Sequence, residues 1–205
     1  MTDLEKRSRN RGAILAAFGV VLFLIWLDQW SKAAVFRWFA EGTPELVRDP
    51  HGHLRYLVAG EWLSLMTSCN PGAAFGRLGG IPRVLVGGRI LAVLVLAIFL
   101  WRHDTRHRLV FVAMVLVLAG AAGNVVDNLW TGCDSAGVHH GVRDFIDVWF
   151  EPLFGWDYHF PSFNVADSCI SVGAVLWVLA GFLGGGSREE AAPETALDEG
   201  EGSVS

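Results

Sequence analysis

No Cys-x-x-Cys pair, no His-Glu-x-x-His string and no internal repeat occurs in these 205 residues. Without closely spaced thiols or helix-spaced histidines a zinc centre has no ligand set of ordinary spacing, so neither a metal nor another cofactor is expected. His51, His53, His139, His140 and His159 therefore read as surface residues. No small-x-small cleavage site follows the first apolar run, which argues against a removable leader. Basic residues form no clustered face of the kind a nucleic-acid partner needs. The formal charge of −5 is no guide to partners either, because six acids (Glu189, Glu190, Glu194, Asp198, Glu199 and Glu201) lie in the last seventeen residues and the remainder is near neutral.

What is abundant is apolar surface. Hydrophobic residues make up 52% of the chain, with nine Trp and thirteen Phe, and the mean hydropathy of +0.39 is too high for a soluble domain of this size. Four apolar runs, at about 13–36, 84–101, 109–130 and 163–183, each approach the ~20 residues that a helix needs to cross a bilayer. The expected fold is an all-α membrane protein of four transmembrane helices (residues 1–183), followed by an acidic, disordered cytoplasmic tail at 184–205. Lys6, Arg7, Arg9 and Arg11 precede the first helix, and three Arg lie between Arg102 and Arg108, which puts both segments and both termini in the cytoplasm. The loops at about 37–83 and 131–162 then lie outside. Strand formers at Glu61–Met66 and the turn Asn70-Pro71-Gly72 predict a small extramembrane β element in the first loop. Trp149, Phe150, Phe154, Trp156, Tyr158 and Phe160 predict an interfacial segment in the second.

Polar residues recur at one end of the expected helices. Asp28 and Lys32 are spaced i, i+4; Asn124, Asp127 and Asn128 share a helix face, as do Asn164, Asp167, Ser168 and Ser171. Such residues often only hydrogen-bond a bundle together, and Asp28, Asn124 and Asp127 read that way first. Asp144 and Asp167 read differently. Each adjoins an apolar span, where a carboxylate costs about 2.5 kcal/mol or more, and basic residues to neutralise them are few. Two converging carboxyls cannot both ionise easily, which is the requirement of an aspartic protease. A small proton-coupled transporter could also use membrane carboxylates, though its acids belong near the midplane. Ser168 and Ser171 have no His or Lys on their face to make a serine hydrolase. Arg89, just inside the outer end of the second helix, is expected to snorkel to the interface rather than pair with an acid. Cys69 and Cys133 lie in the two outer loops, so a disulfide between them is open.

Five strings then occur in order: Leu27-Asp28-Gln29-Trp30-Ser31-Lys32, Asn70-Pro71-Gly72-Ala73-Ala74-Phe75-Gly76, Gly123-Asn124-Val125-Val126-Asp127, Val142-Arg143-Asp144-Phe145-Ile146-Asp147 and Phe163-Asn164-Val165-Ala166-Asp167-Ser168. In sequence and placement they resemble the lipoprotein signal peptidases, or signal peptidase II. The resemblance implies an aspartic endopeptidase of the bacterial inner membrane. It would cut prolipoproteins just before a Cys carrying diacylglycerol, with membrane lipid around it and the site at the outer face. Its catalytic pair maps onto Asp144 and Asp167, with Asn70, Gly72, Asn124, Asp127, Asn164, Asp28 and Lys32 as substrate-binding or supporting residues. A site inside one bundle implies a monomer. The chain departs from the family at Asn128, where the family usually has Arg, and in a longer connection from Asp127 to Asp144. Arg143 is one candidate for the missing positive charge. The added length at about 131–143 reads as a loop insertion, which costs little entropy.

Overall fold

The fold, a computed structural model, describes residues 3–42, 45–49, 52–71, 82–103, 105, 107–135 and 138–185. Gly72 and residues 186–205 of the expected tail lie outside them, while residues 184 and 185 belong to the last helix. Long helices form where the apolar runs lie: α1 (Asp3–Ala40), α2 (Pro82–Arg102), α3 (Arg108–Val126) and, late in the chain, α5 (Val165–Gly185). Three segments, residues 11–40, 108–131 and 165–183, are long and apolar enough to cross a membrane. Large apolar side chains lie exposed on them: Phe23 and Trp26 on α1, Val175 and Phe182 on α5 are each more than half exposed. Lipid is the surrounding that suits such a surface.

Inside the bundle, α3 is the central element. Ala17 and Val21 of α1 and Leu100 of α2 pack with Met114, Val115, Leu118 and Ala119 of α3. Against α5 the approach is closer still, and glycine permits it. A Cβ on Gly120 would run into the Ala166 carbonyl, one on Gly173 would come 2.9 Å from the Ala113 carbonyl, and one on Gly123 would come 3.3 Å from the Ala166 Cβ and, on the α1 side, 2.9 Å from an Asp28 carboxylate oxygen. Helices in lipid gain little from burying apolar groups, so close van der Waals contact between small residues takes over. The last turn of α3 widens into a π turn, Asp127–Thr131, a form that often re-aims side chains at functional sites.

The β element is larger than the sequence suggests. Strands β1 (Val47–Arg48), β2 (Leu54–Ala59), β3 (Leu63–Asn70), β4 (Cys133–Ser135), β5 (Val138–Trp149) and β6 (His159–Phe163) form one antiparallel sheet in the order β1-β2-β3-β5-β4, with β6 also on β5. The second loop therefore supplies a central strand as well as aromatic surface. It eluded the polar-apolar pattern because β5 buries charged as well as apolar residues: Arg143, Asp144 and Asp147 are as enclosed as Val142, Phe145 and Trp149. Leu153, Phe154, Trp156 and Tyr158, around the short α4 (Glu151–Phe154), are exposed as expected of an interfacial segment. The sheet meets the bundle where α1 ends, the π turn closes α3 and α5 begins; there the ring centroids of Trp38 and Tyr56 are 4.6 Å apart.

Two features hold the sheet. Cys69 and Cys133 form a disulfide between β3 and β4, Cα atoms 5.8 Å apart. Away from the bundle, Asp147 accepts from Ser64 Oγ (2.7 Å) and Arg55 Nη1 (3.3 Å) and lies 3.2 Å from His159 Nδ1. His159 stacks on Trp149, and Arg55 lies over the same indole. His159 is thus a structural residue, contrary to its reading as a surface histidine.

Candidate active site

Asn164 stands immediately before α5 and donates its side-chain N–H to Asp144 Oδ1 at 2.7 Å. Its Oδ1 accepts from the Asp167 backbone N–H at 2.9 Å, while its own backbone N–H donates to Asp167 Oδ2 at 3.3 Å. The second and third bonds are the reciprocal capping box that starts a helix. The spacing Asn164-x-x-Asp167 thus both begins α5 and fixes the Asp167 carboxylate. Because one residue bonds both acids, Asp144 from the sheet and Asp167 from the bundle share a site. Asn70, paired with Val142 at the end of β3, donates to the other Asp144 oxygen at 3.0 Å. Asn124 of α3 donates to Asp167 Oδ1 at 2.8 Å. A bulge between Leu65 and Ser68 breaks the β3–β5 register beside Asp144, and bulges are a common way of aiming a side chain.

Below the pair lies a neutral buried quartet. Lys32, wholly enclosed, gives its three protons to Asp28 (2.8 Å), Asp127 (3.1 Å) and Asn124 Oδ1 (3.0 Å); nothing on the ammonium is left unsatisfied. Arg143 grips Asp127 through Nη2 (2.7 Å), Nε (3.2 Å) and its backbone N–H (2.9 Å). Asp28 accepts the Ala166 backbone N–H at 2.9 Å, at the positive end of α5. Lys32 and Arg143 thus balance Asp28 and Asp127, and breaking such a buried set by losing one member is strongly destabilising.

Burial pushes the Asp144 carboxyl up to about 6; the Asn70 hydrogen bond opposes this, and the negative charge of Asp167 adds to it. The site can therefore keep one carboxyl protonated beside an ionised one, the arrangement that moves protons to and from a reacting amide.

Of the residues singled out from sequence, Asp28, Lys32, Asn70, Asn124, Asp127, Asp144, Asn164 and Asp167 come together in one network, and Gly72 lies outside the described residues. Ser168 only back-bonds to the Asn164 carbonyl, and Ser171 is exposed. Arg143 does not serve the pair. Neighbours on a strand point to opposite faces, so beside Asp144 it turns to Asp127 and to Gln29 Oε1. Arg89 does not snorkel either; its guanidinium donates to Asn128 Oδ1. Gln29 and Thr131 were missed. Gln29 bonds Asp28 and the Gly123 carbonyl, and Thr131 Oγ1 lies 2.7 Å from Gln29 Oε1. The i, i+4 spacing of Thr131 from Asp127 was the available signal.

The family model for signal peptidase (SPase) II matches residues 20–183. A lipoprotein signal peptidase of Burkholderia ambifaria (strain MC40-6) is 35% identical over 170 residues, 82% of this chain and 87% of its own length. That of Burkholderia vietnamiensis (strain G4 / LMG 22486) is 37% identical over 171 residues, with the same coverage. A bacterial membrane enzyme solved by the in meso method is similar at a TM-score of 0.62 and 27% identity, over 86% of this chain and 94% of the solved one. With the match spanning α1 to α5 and every strand between them, the chain belongs to the signal peptidase II family.

Proposed function

We propose that this protein is an aspartic endopeptidase of the bacterial inner membrane that removes signal peptides from prolipoproteins, cutting just before the diacylglyceryl-modified Cys. The observation that carries the reading is the bridging of Asp144 and Asp167 by Asn164. Asp167 takes a proton from a water whose oxygen attacks the scissile carbonyl carbon. Asp144, the carboxyl raised by burial, gives its proton to the carbonyl oxygen, and a tetrahedral diol forms. Collapse breaks the C–N bond: Asp167 returns its proton to the leaving nitrogen, and the diol hydroxyl returns one to Asp144. Both carboxyls end as they began, and their titration belongs to the pair. Asn70, Asn124 and Asn164 hold the acids in place with neutral donors.

The same reading takes α2 as a fourth span, both termini as cytoplasmic and the sheet as lying at the outer surface. Exposed Phe154, Trp156 and Tyr158 suit the headgroup region. There the acyl chains of the substrate stay in lipid while its peptide bond reaches the acids, and the working unit is a monomer. The test is cleavage of a diacylglyceryl-modified prolipoprotein by purified wild type and by folded Asp144→Asn and Asp167→Asn. Wild type should cut before the lipidated Cys, and each variant should lose at least ~10³-fold in kcat, as removal of a central catalytic group does. Near-full activity in either variant overturns the assignment.

A further inference from the structure

Arg89 joins α2 to the turn that closes the site. It lies on α2, and its guanidinium is held by the side-chain carbonyl of Asn128, the residue after Asp127 in the π turn. Asn128 follows by four residues Asn124, which donates to Asp167 Oδ1, so the guanidinium is held beside the end of α3 that meets the acid pair. The charges around the pair explain why that matters. From α1, Lys32 and Asp28 face the network; from the π turn, Asp127; from β5, Arg143. These four cancel by direct contact. Among the described residues the hydrogen-bond donors to Asp144 and Asp167 are amides of Asn70, Asn124 and Asn164. A pair sharing one proton carries one negative charge that these neutral donors do not balance. Lys32 attracts Asp144 as well, but its protons are committed to Asp28, Asp127 and Asn124.

We propose that Arg89, clamped by Asn128, is a positioning residue for the cleavage reaction: its fixed positive charge balances the singly ionised Asp144–Asp167 pair and sets the pH range in which one carboxyl is a base and the other an acid. The inference rests on the reading of those two aspartates as the catalytic pair. Arg89 acts through them, and Asn128 acts through Arg89. Because Asn128 Oδ1 and the guanidinium are in hydrogen-bond contact, a cation carried at position 128 reaches the same region from the opposite side.

The measurement is kcat/KM against pH, from about 5 to about 9, for a diacylglyceryl-modified prolipoprotein in detergent–lipid micelles. Wild type, Arg89→Lys, Arg89→Gln and the relocated-charge double variant R89Q/N128R are compared. Removing a nearby positive charge disfavours the ionised pair, so both limbs of the bell for Arg89→Gln should move to higher pH by about one unit. Activity on the acid side then falls about tenfold and recovers at alkaline pH. Arg89→Lys and the double variant, which keep a cation, should return the bell toward its wild-type position. A bell for Arg89→Gln that superimposes on wild type after scaling overturns the proposal, since a purely structural residue lowers the rate without moving the limbs. If Arg89→Gln does not fold, Arg89→Met, a neutral side chain of similar length, takes its place in the same comparison: limbs moved to higher pH support the charge, and limbs that superimpose on wild type overturn it. Asp144→Asn and Asp167→Asn run alongside. If either stays active, the catalytic reading itself fails; if both are inactive while the Arg89→Gln bell stays put, only the role of Arg89 fails.

Discussion

At the scale of single residues, what distinguishes Asp144 is that, among the described residues, its two oxygens accept from the side-chain amides of Asn70 and Asn164. Its carboxyl is raised from 3.8 to about 6, chiefly by burial, which has a consequence for stability. An acid whose folded pKa exceeds its unfolded one binds more protons when folded, so its contribution is favourable below about 4 and is lost as pH rises through about 6. At pH 8 the ionised, buried Asp144 therefore works against the fold, by about 3 kcal/mol at most, since each pH unit separating the folded from the unfolded value is worth about 1.4 kcal/mol. Asp144→Asn removes that charge but loses about 1 kcal/mol, because its own NH2 group faces a donor. The variant is expected to be inactive yet to melt a few degrees above wild type at pH 8, with the gain gone at pH 4; a trade of stability for activity is common at catalytic sites. Thermal melts at the two pH values check it, and equal melting at pH 8 would sink the account. Side-chain direction is where the sequence was least legible. Asp144 and Asp167 announced themselves as acids beside apolar runs, whereas Asn164 read as part of a helix face and its capping of α5 went unread. Whether Arg143 served Asp144 or Asp127 depended on a strand pleat that its mixed surroundings concealed. Arg89 went to Asn128 because a polar partner within the bundle was nearer than the interface.

Among elements, the pairing of α3 with α5 places Asn124 against Asp167. Gly120 and Gly173 allow it, and any Cβ at position 120 meets the Ala166 backbone, which lies in the first turn of α5. Gly120→Ala should force the helices apart there, costing about 1–3 kcal/mol as overpacked sites do and lowering kcat through the stretched Asn124–Asp167 bond. Gly181→Ala, on α5 with nothing within 4 Å of its Cβ, should leave melting temperature and rate unchanged. Indistinguishable melting of the two variants would show that α3 and α5 are not so tightly joined. The helices themselves were readable because twenty apolar residues have few alternatives in lipid. The sheet was readable only in its first loop, where Glu61–Met66 carries strand formers. Strand β5 pairs its charges with distant partners: Asp147 with Arg55 and Ser64, Arg143 with Asp127. Long-range pairs of this kind leave no local signature.

For the whole molecule, the distribution of arginine decides orientation. On the proposed topology, Arg102 at the end of α2, Arg106 in the link and Arg108 at the start of α3 outweigh the more dispersed charge of the two long loops and should keep that turn in the cytoplasm. In a Cys169→Ser background, Thr105→Cys should resist a membrane-impermeant maleimide in intact cells, whereas Trp156→Cys should react; the opposite pattern would invert the topology. Such an arrangement leaves the two acids on chain segments that must travel separately. Asp144 belongs to a sheet assembled from the two long loops, Asp167 to a helix that packs against α3. Asn164 touches both. A half-built molecule, with helices inserted but the sheet undocked, holds one acid without the other. If these two acids are the catalytic pair proposed above, proteolytic power is withheld until the sheet docks, and an enzyme that lives among unfinished membrane chains is harmless to them while it is itself unfinished.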